Sequence, residues 1–251
     1  MTSYRPDPGR RHGLRVAAAA VAMIAVPPLG HAAGRAKGQA PGRGWISTSM
    51  RFGGYLNATG SAAPMRIAVA DYTFEVLDGA RYRIVLRVDS ALADLRYESE
   101  GLIDATGLRP RAYRETRRLP LRSPRTREVA FADTEQPGHV MLPAGAQDRL
   151  SVIAQLSWLA RTQPRPWATA GQAPLMLAGW DSVEPTMITI GEPQRVSLEN
   201  GAGVQAREYR RLSNGGGTLL EFWLIDDAQR SPAIISFAEG EKRLRFVRIL
   251  D

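Results

Sequence analysis

The chain has 251 residues, with 33 basic and 25 acidic side chains and a formal net charge of +8. It contains no cysteine, which excludes disulfide frameworks, cysteine nucleophiles and zinc sites that need thiolates. The basic excess suits anionic lipid headgroups or cell-wall polymers, or a plain solvated surface, and we expect no nucleic acid as a partner.

The first predicted element is a signal peptide over residues 1–32. A basic stretch precedes an apolar run at residues 16–26, whose eleven residues fall short of the ~20 that span a bilayer. Small residues follow, and we expect cleavage after Ala32. Gly9–Arg15 also resembles a twin-arginine signal, so two export routes stay open, with the general secretory route favoured. We predict a periplasmic protein that does not span the membrane.

Two further segments follow the signal peptide. Residues 33–44 are rich in glycine, alanine and basic side chains and have no apolar periodicity, which predicts a flexible linker. Residues 45–251 are enough for one core, and β domains of this size are commonly single. We therefore predict one β-rich domain over residues 45–251.

Short strands separated by turns dominate this domain. Residues 82–88 alternate apolar residues with arginines, the period of a half-buried strand. Turn sequences recur between such runs and favour an antiparallel meander. These turns are Asp78-Gly79, Asp104–Gly107, Asn200-Gly201 and Asn214–Gly217.

One segment departs from the strand pattern. Apolar residues at helical spacing predict a helix from Gln147 to Thr162. Asp148 is placed to accept a hydrogen bond from an amide of the first turn, and Pro164 ends the run. The predicted fold is mainly β: an antiparallel meander that forms a strongly curved sheet or half-barrel, with one helix packed across it.

Catalytic side chains are scarce. The signal peptide carries two of the three histidines, and His139 alone cannot form a common zinc set or support a convincing triad. Gly201–Ala206 matches a dinucleotide fingerprint, but strands on both sides predict a hairpin turn. Two carboxylates across a cleft would suffice for glycoside cleavage, although no spacing of acids selects such a pair. We predict no enzyme, no metal and no cofactor.

Arginines are dense between residues 109 and 127. Guanidinium groups grip phosphates bidentately, and Arg114, Arg117 and Arg118 are the candidate contacts for a headgroup or a protein partner. Two paired strands with an exposed face produce the same pattern, with cross-strand pairs of arginine and glutamate. We favour the solvated face.

Aromatic and methionine side chains provide the other candidate site. In a curved sheet closed by a helix, such residues line apolar ligand cavities, although core packing is the commoner role. The candidate ligand-binding residues are Leu156, Met176, Phe222 and Trp223.

Four motifs stand out along the domain, at Ser99–Ile103, Gly107–Tyr113, Glu128–Asp133 and Gln147–Ser151, with Phe222–Leu224 and Arg230–Pro232 less specific. Together they resemble a bacterial family of exported proteins, domain of unknown function 3108. The resemblance covers roughly residues 50–251 and implies an envelope protein of mainly β structure with no established activity.

Three hypotheses about function follow. The leading one is a non-enzymatic periplasmic protein that holds a hydrophobic or lipid-like ligand in its curved sheet, an architecture that resembles periplasmic lipid carriers. The alternative is a structural or protein-interaction module of the envelope with a filled interior. The third, a hydrolase with two carboxylates, requires paired acids in a cleft.

Overall fold

The computed structural model describes residues 45–58, 65–212, 218–239 and 242–250. The predicted signal peptide, the linker and the turn at Asn214–Gly217 lie outside these residues. The described part contains thirteen strands and two helices. The strands are β1 (Thr48–Ala58), β2 (Met65–Leu77), β3 (Arg81–Ser90), β4 (Asp94–Asp104), β5 (Gly107–Arg118), β6 (Arg125–Ala132), β7 (His139–Met141), β8 (Gly171–Ala178), β9 (Val183–Ser197), β10 (Gly203–Leu212), β11 (Thr218–Ile225), β12 (Pro232–Glu239) and β13 (Lys242–Ile249), and the helices are α1 (Ser151–Thr162) and α2 (Pro164–Trp167).

All thirteen strands belong to one sheet, in the order β7-β6-β5-β4-β3-β2-β1-β13-β12-β11-β10-β9-β8. Two antiparallel meanders, β1 to β6 and β8 to β13, are joined where β1 pairs with β13. The short β7 lies parallel to β6 at one edge. The predicted mainly β fold with an antiparallel meander is confirmed.

The sheet curves so strongly that distant strands meet. Tyr97 of β4 stacks on Phe237 of β12, with 6.2 Å between ring centroids, although five steps of the sheet order separate these strands. At the other side, Tyr113 of β5 lies 5.3 Å from the ring of Trp180, which follows β8. The two ends of the sheet therefore approach each other.

A chain segment after β6 bridges these two ends. The amide of Leu142 donates to the carbonyl of Ala132 beside β6, at 2.8 Å. Five residues later, the amide of Gln147 donates to Met176 of β8 at 2.9 Å, and its carbonyl accepts from Ala178 at 2.8 Å. The segment satisfies backbone groups on both edges, which would otherwise present unpaired amides and carbonyls.

Helix α1 lies in the interior of the curved sheet. Val152, Ile153 and Leu156 are fully buried, and burial extends over more than one face of the helix. The inward side chains of the strands complete one large core around it, with Ile84, Leu86 and Phe222 among the fully buried. The helix therefore fills the space that the curved sheet encloses.

A buried carboxylate fixes the start of this helix. Asp148 Oδ1 accepts hydrogen bonds from the amides of Leu150 and Ser151, both at 2.8 Å. Its Oδ2 accepts from the hydroxyl of Ser99 on β4 at 2.6 Å, and Ser99 also pairs with the hydroxyl of Tyr82. Burial raises the pKa of Asp148, and these hydrogen bonds oppose that shift.

Two glutamines attach the same segment to the beginning of β5. Gln147 Nε2 donates to the carbonyl of Leu108 at 2.8 Å, and Gln155 Oε1 accepts from the Leu108 amide at 2.8 Å. Gln155 Nε2 also donates to the carbonyl of Thr106 at 3.0 Å. Gly107 lies beneath this side chain with a φ of +117°, and a Cβ there would stand 2.2 Å from Gln155 Oε1. The position therefore requires glycine.

The helix ends at Thr162 as predicted but begins later than predicted. It begins at Ser151 and not at Gln147, because residues 147–150 form the strand bridge and the Asp148 cap. Pro164 follows the end of α1 as predicted, but it opens α2, so the described chain has two helices and not one. The Asp78-Gly79 turn is confirmed, with φ values of 50° and 68°.

The Asp148 cap sets the first prediction. Asp148→Ala leaves the buried amides of Leu150 and Ser151 without a side-chain acceptor and removes one of the two partners of the Ser99 hydroxyl, and we expect a loss of about 3 kcal/mol in the free energy of unfolding. Urea unfolding measures it. Asp104→Ala removes a comparable bond to the Thr106 amide in an exposed turn, so its loss should stay near 1 kcal/mol or below. Equal losses in the two variants would contradict the role of the buried cap.

The raised pKa of Asp148 also predicts how the stability of the protein depends on pH. Because the folded-state pKa of Asp148 lies above its unfolded value of 3.8, ionisation opposes folding. The contribution of Asp148 should therefore fall as the pH rises from 3.8 through the folded-state pKa. Asp148→Asn, which keeps an acceptor oxygen, should remove this part of the pH profile.

Candidate functional site

The four predicted ligand-binding residues do not share one cavity. Leu156 and Phe222 are fully buried in the main core. Trp223 adjoins Phe222 in β11 and therefore points to the opposite, outer face of the sheet. Met176 is half-buried on β8, between two inward-facing leucines.

Trp223 belongs to a small apolar cluster on the outer face. It packs against a group that includes the buried Ile234 and Leu198, and its indole donates to Glu221 Oε1 at 2.9 Å. Glu221 is itself buried and lies 3.3 Å from Arg243. This part of the predicted site is a second core with a satisfied polar rim.

An apolar recess opens beside the end of α1. Its volume is about 50 Å³, well below the ~300–1,000 Å³ of ordinary ligand pockets. Trp45 at its wall stacks on Trp158, with ring centroids 5.6 Å apart. Arg161 also lines the recess, and burial lowers the pKa of its guanidinium. The recess has room for a small apolar group and not for a lipid.

Hydrogen bonds and ion pairs engage the buried carboxylates that the structure describes. The two buried acids, Asp148 and Glu221, cap a helix and pair with arginine. His139 is exposed, and its Nδ1 lies 3.1 Å from the carbonyl of Pro137. Across the described ranges, no three histidine or acidic side chains gather closely enough to hold a metal ion.

Strands β3 to β6 form an arginine-rich wall of the sheet, and ion pairs join many of its side chains. Arg114 makes two bonds of 3.0 Å to Glu128 on the neighbouring strand. Glu98 accepts from Arg83 at 2.7 Å and from Arg96 at 2.8 Å, and this second bond leads in lowering the pKa of Glu98 to about 2. The cross-strand pairing predicted from the sequence is present here.

Four arginines stand apart from these pairs, at the end of the β5–β6 hairpin. We call residues 117–125 the basic loop. It comprises the last residues of β5, the connection 119–124 and the first residue of β6. Its arginines are all exposed, and none forms an ion pair with any carboxylate that the structure describes. They are Arg117, Arg118, Arg122 and Arg125.

The predicted contact residues are thus divided between two environments. Arg114 is held by Glu128 in the wall of the sheet, whereas Arg117 and Arg118 belong to the basic loop. The sequence places Arg122 and Arg125 in the same arginine-rich run, but not among the candidate contacts; the β5–β6 pairing brings Arg125 opposite Arg117.

The motifs that carry the family resemblance meet around the start of α1. Ser99 and Asp148 form the buried cap, and Gly107 and Leu108 receive the two glutamines. On the outer side, Asp133 pairs with Arg109 and Arg111, both at 2.8 Å. These residues hold the helix and the sheet together.

Comparisons with known proteins establish no family for this chain. No protein-family model matches the chain, and no curated protein matches it. One similar solved structure is a β-barrel-like protein of domain of unknown function DUF1849 from Brucella abortus. It shares 12% sequence identity with a TM-score of 0.42, and the match covers 81% of this chain and 96% of that one. Neither helix in the described ranges is long and apolar enough to cross a bilayer.

Glu98 provides a second prediction. The folded state stabilises the ionised form of Glu98. The contribution of Glu98 to the free energy of unfolding is therefore present above the unfolded pKa of 4.5 and is lost as the pH falls toward 2. We expect Glu98→Gln to cost about 1–2 kcal/mol at neutral pH, after allowance for solvent screening, and little near pH 2.

Chemical denaturation at several pH values measures this difference. Glu100→Gln, on the same face of β4 and exposed, is the matched control and should stay within about 0.5 kcal/mol of the unmodified protein. A Glu98 variant as stable as the control at neutral pH would show that the arginine cluster adds nothing.

Proposed function

We propose that the protein is an exported, non-catalytic binding module of the bacterial envelope that acts in the periplasm through its outer surface. Its interior is structural, and the basic loop is the part that meets a partner. Membership of the family of domain of unknown function 3108 is part of this proposal, supported by the order and spacing of the four motifs.

One observation carries the proposal: α1 occupies the space enclosed by the sheet. Leu156, Ile153 and Val152 have no exposed surface, and strand side chains pack around them. A ligand inside the sheet would have to displace the helix and expose apolar side chains worth roughly 1.5–3 kcal/mol each. The filled interior favours the interaction module over the lipid carrier.

The ionisable groups support a non-catalytic role. Catalytic acids usually stand in a cleft with an altered pKa and room for substrate. Here the raised pKa of Asp148 belongs to a carboxylate whose oxygens are taken by Ser99 and by two helix amides. That environment leaves no place for a reacting atom.

One observation favours the alternative of ligand binding, namely the apolar recess beside Trp45. Its apolar wall and the nearby Arg161 guanidinium suit the end of a small amphiphile. The volume of about 50 Å³ limits such a ligand to a small apolar group.

Extraction with organic solvent tests whether the interior of the protein holds a lipid. Protein purified from its native periplasm should release no stoichiometric lipid, as measured by mass spectrometry of the organic extract. Leu156→Ala should lower the free energy of unfolding by about 3 kcal/mol, since it removes packed core atoms, without changing that extract. One lipid per protein, lost in the Leu156 variant, would overturn the proposal in favour of a carrier.

Export is tested at the amino terminus. We expect the periplasmic form to begin at Ala33, as read by amino-terminal sequencing of the fractionated protein. Inserting an arginine into the apolar run at residues 16–26 should block processing, because a charge there opposes insertion of the signal peptide. An unprocessed chain confined to the cytoplasm would contradict the proposed location.

A further inference from the structure

We propose that the basic loop docks onto the surface of an anionic phospholipid bilayer, with Leu121 inserted between lipids and the loop arginines bound to phosphate groups. This inference rests on the proposed function, in which the outer surface makes the contacts, and names the partner of that surface.

Leu121 at the tip of the loop is the first supporting observation. Its side chain is fully exposed, and its backbone has a φ of 58°, in the left-handed region that residues other than glycine rarely adopt. No core contact compensates for either feature within the protein. The turn thus holds Leu121 at the tip of the loop in a strained conformation, and backbone strain of this kind clusters at ligand-binding sites.

The arginines around Leu121 are the second observation. Arg118 and Arg122 line a cleft of about 490 Å³ between the basic loop and the β3–β4 turn, together with Ser90 and the carboxylate of Asp94. Arg117 and Arg125 stand opposite each other on the paired strands below it. Four guanidinium groups against the carboxylates of Asp94 and of its cross-strand partner Asp89 leave a local excess of positive charge. The cleft is large enough for the phosphodiester of a lipid headgroup.

A second apolar side chain reaches the same end of the sheet. Leu92 lies in the β3–β4 turn and is 60% exposed. The cleft described above separates this turn from the basic loop. Two exposed leucines beside unpaired arginines reproduce the composition of membrane-surface segments, which combine apolar anchors with basic residues.

The pattern fits a bilayer better than a folded protein partner. A stable protein interface buries about 800 Å² on each side around an apolar centre. Here the apolar side chains are isolated at the tips of two turns and separated by charge. Isolated anchors suffice at a bilayer, because each inserted side chain is buried by lipid independently of the others.

Vesicle binding tests the inference. The protein from the periplasmic fraction should sediment with vesicles of phosphatidylglycerol mixed with phosphatidylcholine, and weakly or not at all with phosphatidylcholine alone. Raising the salt concentration should release it, since salt screens the arginine–phosphate attraction.

Two variants separate the apolar and the charged contributions. Leu121→Ser should lower the partition coefficient about tenfold, because one buried leucine is lost. Arg118→Gln with Arg122→Gln should lower it about 25-fold, at roughly fivefold for each arginine near an anionic surface. The control pair, Arg149→Gln with Arg165→Gln, removes the same charge from exposed positions outside the loop and should change binding less than about twofold.

The outcomes discriminate among the possible partners. Equal binding to both kinds of vesicle, or equal losses in loop and control variants, would overturn the docking proposal. Retained vesicle binding in both loop variants would do the same. The extraction experiment tests the proposed function separately. Stoichiometric lipid in the extract would contradict a filled interior, whereas vesicle binding that depends on Leu121 would still support docking through the basic loop.

Discussion

The hydrogen bond between Ser99 and Asp148 is the contact on which the remaining architecture depends. It joins the middle of β4 to the start of α1 in the dry interior, where an unpaired carboxylate would cost several kcal/mol. The same carboxylate holds two amides of the first helical turn. The helix can therefore enter the curved sheet only in one place and one direction. Once α1 is fixed there, Leu156 and its neighbours fill the interior, and the sheet curves around them.

The motifs of the family resemblance acquire a physical meaning from this contact. Motifs without catalytic character often mark positions where backbone and side chain leave no alternative. Gly107 is such a position, because the Gln155 side chain occupies the space of a Cβ. Asp148 is another, because it caps the helix and binds the sheet at once. Residues that hold the helix and the sheet together carry information about architecture and little about a partner.

The local features of the fold could be predicted from the sequence, and the long-range ones could not. Alternation in residues 82–88 gave strand β3 with its inward face, and Asp148 was recognised as a cap, because both depend on neighbouring residues. The pairing of β1 with β13 joins residues almost two hundred positions apart, and no local pattern encodes it. Strand alternation places Trp223 on the face opposite Phe222, but only the tertiary structure reveals the second cluster that packs against it there. The sequence of a strand shows which residues share a face. It does not show which of the two faces the rest of the chain covers.

The division among the arginines follows from the geometry of the hairpin. Where β5 and β6 are paired, Arg114 faces Glu128 across the ladder, and attraction between them cancels much of the local field. At the last pair of the ladder, Arg117 faces Arg125, and the connection at residues 119–124 contains no acidic residue. Like charges directly opposite destabilise a sheet, so this arrangement costs the folded protein free energy that its own contacts do not return. An anionic bilayer offsets this cost, and its lipids bury Leu121 at the same time. The end of the hairpin is therefore better suited to binding than the paired strands above it.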